Sequence, residues 1–199
     1  METNEKILNK FGEDRERLLG ELQELGIPEE LQPLYEIYKT IDNNALVQKM
    51  EGQLKRDIDI WTNPEYTGAN ESQIFSRIGY SWYYDGSEEP EVMGFANKNK
   101  DIFFDCGGFC FGDFCPSLFD YVSEEGEYYL DEFAEEEFEN QVTMLMDLFI
   151  NNFMEILHLA WCSLEGTIEF DKLKKADTFE FAAHNEDDLQ TMVFVWNKE

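Results

Sequence analysis

The segment EEEFENQVTMLMDLFINNFMEILHLA, residues 135 to 160, constrains the fold more than any other stretch of this chain. Phe138, Val142, Leu145, Phe149, Phe153, Ile156 and Ala160 recur at intervals of three and four, which is the spacing of one face of an α-helix. A continuous apolar stripe of that length needs a hydrophobic surface to lie on. The rest of the chain must therefore supply a sheet or further helices with an apolar face.

Both are legible. Between residues 73 and 106, QIFSRIGYSWYY, EVMGFA and DIFFDC are β-branched and aromatic runs, separated by the turn formers DGSEEP and NKNK. They read as an antiparallel meander. The first sixty residues read as helices. Ile7, Leu8, Phe11, Leu18, Leu19, Leu22 and Leu25 keep helical spacing up to Gly26, a natural C-terminal stop. PEELQPLYEIYKTI follows, with Pro28 suited to a first turn and Pro33 able to delay the helix to LYEIYK. A third helix, ALVQKMEGQLKRDI, comes after the turn-like DNN at 42 to 44. PSLFDYV and YYLDEFA read as short helical pieces, and GTIEF, TFEFAA and TMVFVW as three C-terminal strands. The expectation is one α+β domain over residues 1–199, with the N-terminal helices and the long amphipathic helix packed on a largely antiparallel sheet. Its parts are helical 1–60, a meander over 73–106, the long helix over 132–160 and strands over 166–197.

The formal net charge of −29 comes from 44 acids against 15 bases, but the 17 Phe, 9 Tyr and 4 Trp belong to a folding chain, not a disordered acidic one. Such a charge argues against binding nucleic acid or an anionic membrane, since both require Lys and Arg. It favours a basic protein partner, because opposite fields steer association. The charge is uneven. Residues 101–171 hold 18 Asp and Glu and no Lys or Arg. The densest part is SEEGEYYLDEFAEEEFEN, where Glu124, Glu125, Glu127, Asp131, Glu132, Glu135, Glu136, Glu137 and Glu139 fall within sixteen positions. Like charges this close repel, although acids just before a helix are favoured by its dipole. The segment reads either as a solvated helix N-terminus or as a surface for a basic partner. In the second case Glu124, Glu125, Glu127, Asp131, Glu135, Glu136 and Glu137 make the contacts, with Tyr128 and Tyr129 as anchors; Tyr121 and Phe133 stand beside them.

DCGGFCFGDFC, residues 105 to 115, holds three of the four cysteines. Cys106, Cys110 and Cys115 give C-x3-C-x4-C, which matches no familiar zinc knuckle, although Cys162 or His158 could complete four ligands. Thiol catalysis would need a cationic neighbour, and the surroundings are acidic. The favoured reading is a bend in which the cysteines serve as small apolar residues, with no metal and no cofactor. Glu155 and His158 form E-x-x-H, but carboxylate-bridged metal bundles need two such helices, and His184 does not supply the second. By helical spacing His158 is expected to face solvent. Two histidines, no P-loop and no G-x-G-x-x-G leave little for enzymology beyond paired carboxylates, which 44 acids always offer. The start carries no signal-peptide core, and no stretch is expected to reach the length that spans a bilayer, so the expected location is cytoplasmic.

Two stretches resemble a known family. ELQELGIPEELQPLYEIYKTIDNN, through Leu25, Ile27, Pro28, Leu34, Tyr35 and Tyr38, resembles the opening of the SUKH superfamily. VMGFANKNKDIFFD, with Phe95, Ala96 and Asp105, resembles its central hairpin, and the helix from Phe138 sits where that family closes its domain. The family's glycine-rich turn is DNN here, and the C-terminal strands have no counterpart. The resemblance implies a bacterial cytoplasmic immunity protein that binds and blocks a toxin domain, often a nuclease. Two other classes stay open: a hydrolase using carboxylates or a cysteine-zinc site, and a scaffold or regulatory subunit for a basic protein.

Overall fold

The computed structural model describes residues 2–67, 74–82, 91–95, 102–107, 139–185 and 191–198. The first helix, α1, spans Glu2–Leu25 and stops where Gly26 takes a φ of 78°, a left-handed conformation that side-chain-bearing residues rarely adopt. A 3₁₀ turn, Glu29–Leu31, precedes α2, Gln32–Thr40, whose first turn holds Pro33. That is the delay expected of a proline, which fits the first turn but not a helix interior. Helix α3, Asn43–Trp61, is capped by the Asp42 carboxylate, which accepts from the Ala45 N–H at 3.1 Å. A single turn, α4, covers Pro64–Thr67.

The meander is present as β1, Phe75–Trp82, β2, Glu91–Phe95, and β3, Ile102–Gly107, paired antiparallel in sequence order. Gly79 faces the Phe95 ring, and a Cβ there would stand 3.2 Å from it. The long helix, α5, runs Glu139–Leu164. After it come α6, Ile168–Lys172, and then β4, Lys175–Asn185, and β5, Thr191–Asn197. The sheet order is β3-β2-β1-β4-β5. Three of its pairings are antiparallel, but β1 and β4 run parallel, with α5 in the crossover between them. The fold is α+β, with a mixed sheet.

GTIEF is therefore not a strand. An alternating strand would put Ile168 and Phe170 on one buried face, yet Ile168 is 78 % exposed and Phe170 is buried. Thr167 decides the local structure by accepting the Phe170 N–H and capping a helical turn, and Glu169 and Asp171 follow where the helix dipole favours acids. The C-terminal strands number two among the described residues. PSLFDYV and YYLDEFA lie outside them.

Every described member of the apolar stripe, Val142, Leu145, Phe149, Phe153, Ile156 and Ala160, is buried. So are Leu164, which continues the stripe, and Leu148, Asn152, Leu157, His158 and Trp161, which flank it or lie on other sides of α5. A helix buried around most of its circumference is sandwiched. On the sheet side Phe153 meets Tyr80 of β1 at 6.3 Å between centroids, and Trp161 packs among Phe179, Phe181 and Phe194. On the helix side Asn151 donates to the Phe11 carbonyl at 2.9 Å, Glu155 pairs with Arg15 of α1, and the Asn43 and Asn152 amides bond reciprocally. The 25 residues Asn140–Leu164 also have the length and composition to cross a bilayer, contrary to the expectation that no stretch reaches that length. Here they form the centre of the core.

Candidate functional site

The acidic surface proposed from sequence, Glu124, Glu125, Glu127, Tyr128, Tyr129, Asp131, Glu135, Glu136 and Glu137, lies outside the described residues, as do Tyr121 and Phe133. Its chain anchors are described. The described residues that flank it are Gly107, the last of β3, and Glu139, the first of α5. Cys106 pairs through its backbone with Val92 in the β2–β3 ladder, while Cys110 and Cys115 also lie outside.

Cys162 and His158 are close, and no group of three or more His, Cys, Asp or Glu able to hold a metal occurs among the described residues. His158 is 2 % exposed, which corrects the expectation that it faces solvent. The physical reason is distant in sequence. The register between β4 and β5 slips between Phe181 and Ala182, which pair with Phe194 and Met192, so Val193 is left as a bulged residue. Its carbonyl lies 2.6 Å from His158 Nδ1. A carbonyl can only accept, so Nδ1 carries the proton and Nε2 is left as an acceptor, 3.5 Å from Cys162 Sγ. Burial lowers the His158 pKa and raises the Cys162 thiol to about 11. Both shifts oppose the thiolate–imidazolium pair that a nucleophilic cysteine requires. The E-x-x-H pair does not form a site either, because Glu155 turns to Arg15 and His158 to Val193.

Two other groups are perturbed. Lys175 is half-buried, lies 4.0 Å from the Phe170 ring centroid, and donates to the carbonyls of Phe170 and Leu173, which end α6. Burial lowers its pKa, and its role is that of a C-terminal cap. Asp57 of α3 is 6 % exposed; Gln53 donates to its Oδ1 at 2.8 Å, and Oδ2 has no hydrogen-bond partner among the described residues. Burial pushes its carboxyl up to about 6.

The Asp57 shift has a measurable consequence. With its pKa raised in the folded state, the group favours folding while protonated, and stability declines as pH rises from near 4 through about 6. Asp57→Asn removes the buried charge. The variant should exceed wild type by as much as about 3 kcal/mol at pH 8, with the difference closing near pH 4. Urea unfolding of both chains across that range checks it, and a pH-independent difference would refute it.

Two grooves open along α1. One, of 190 Å³, runs between α1 and α5 and is lined by residues including Lys10, Asp14, Arg17, Asp147 and Asn151. The other, of 520 Å³, is lined by residues including Lys6, Ile7, Lys10 and Met192. Neither contains Asp57, His158, Cys162 or Lys175. A catalytic cleft gathers its perturbed groups, and these two grooves do not. The chain matches no family model, no curated protein and no solved structure.

Proposed function

We propose that this chain is an acidic binding protein, an immunity protein of the SUKH type, which neutralises a basic, nuclease-type toxin domain in the bacterial cytoplasm. The observation that carries this reading is the absence of any Lys or Arg among the 18 acids of residues 101–171. A chain needing only solubility would be more stable with bases interleaved, because neighbouring like charges repel. A bound cationic surface relieves that repulsion. A nuclease active site is basic because it holds phosphate, so a partner lined with carboxylates gains both encounter rate and bidentate Arg–carboxylate contacts. The partner surface is Glu124, Glu125, Glu127, Asp131, Glu135, Glu136 and Glu137, with Tyr128 and Tyr129 as anchors.

The hairpin that carries part of the family resemblance, VMGFANKNKDIFFD, supplies β2 and β3, paired antiparallel from Val92–Cys106 to Phe95–Ile102. The test is capture of partners on the immobilised chain at low salt, with elution in rising salt. The expected result is a basic protein with nuclease activity that the chain inhibits, released as exposed charges are screened beyond about 8 Å. A neutral or acidic partner, retained regardless of salt, would overturn the reading.

A further inference from the structure

The outer edge of β5 is closed by side chains from two helices. In an antiparallel ladder alternate residues of an edge strand turn their N–H and C=O away from the sheet. The inward bond from the Lys198 N–H to the Asp177 carbonyl sets the alternation, which leaves Val195 facing outward. Asn4, in the first turn of α1 and 9 % exposed, takes both of its groups. The Val195 N–H donates to Asn4 Oδ1 at 3.0 Å, and Asn4 Nδ2 donates to the Val195 carbonyl at 2.9 Å. A primary amide offers one donor and one acceptor side by side, as a peptide unit of a neighbouring strand would. Two residues earlier, the bulged Val193 carbonyl is taken by His158.

Apart from the bulge at Val193, the strand itself carries none of the usual protections. TMVFVWN contains no charge, no proline and no glycine, so it has the composition of a segment that pairs readily with its own copies. We propose that Asn4 acts as a strand mimic that blocks edge-to-edge pairing of β5 with the β5 of a second copy of this chain. Pairing across a two-fold axis would run β5 antiparallel to itself and require the first turn of α1 to withdraw. Retention of the Asn4 contact prevents it.

The experiment is sedimentation of the full chain over a wide concentration range. Asn4→Ala should gain concentration-dependent association over wild type, with the average mass rising toward at least twice the monomer. Asn152→Ala is the control: it removes the part-buried amide pair between α3 and α5 and leaves the edge covered, so its mass should follow wild type. Adding Val195→Pro to Asn4→Ala should abolish the association, since proline removes the outward N–H without touching the β4 ladder. Association equal in Asn4→Ala and Asn152→Ala, or persisting in the double variant, would overturn the proposal. Should Asn4→Ala fail to fold, hydrogen exchange on the wild-type chain decides. The Val195 amide should be as protected as those of the β4–β5 ladder, and exchange at the rate of an open edge would overturn it.

Discussion

Replacing Trp161 by alanine should cost the fold about 4 kcal/mol, within the range for removing a fully buried large aromatic. The indole is 0 % exposed and meets four phenylalanine rings. Phe181 lies at 4.8 Å and Phe194 at 5.7 Å in a stacked arrangement, with Phe179 at 6.0 Å and Phe170 at 6.3 Å. Those rings belong to β4, β5 and α6, so one side chain joins the long helix to every C-terminal element. Phe170 is also the ring beneath the Lys175 ammonium, and loss of Trp161 should loosen that cap. For a chain of this size the melting temperature should fall by roughly 8–16 °C. Trp161→Phe should cost much less, since the Nε1–H has no hydrogen-bond partner among the described residues to lose. Calorimetry of the two variants checks both. A loss below about 1 kcal/mol for Trp161→Ala would show that the site collapses around the cavity.

Trp161 also illustrates what could be read from the chain and what could not. Helix α5 was legible because its stripe is local, and so were the stop at Gly26, the delay at Pro33 and the three strands of the meander. Each depends on residues within a few positions. The stripe was drawn too narrow, however. Asn152, His158 and Trp161 fall outside it and are buried because α1, α3 and the C-terminal strands surround the helix, which spacing along one segment cannot report. The parallel pairing of β1 with β4 joins residues about a hundred positions apart, and nothing in TFEFAA distinguishes it from an antiparallel partner. The His158 contact depends on a one-residue register slip in β5. GTIEF has a local reason to be helical instead, since a threonine followed within one turn by Glu169 and Asp171 is as good a helix start as a strand. The candidate binding surface came from charge alone, with no spacing that defines a shape, and its residues lie outside those described.

Charge reversal has the second large expected effect. With the captured partner in hand, Glu135→Lys, Glu136→Lys and Glu137→Lys together should slow association about tenfold or more at low salt, because steering by opposite fields spans several decades of rate. The dependence on salt should flatten at the same time. The decisive measurement is the association rate of wild type and this triple variant as a function of ionic strength, with circular dichroism confirming the fold. A slower and less salt-sensitive rate in the variant is the expected result. An unchanged rate and salt dependence, with a raised melting temperature, would mean that these acids are only a solvated face, and would contradict an acidic binding surface.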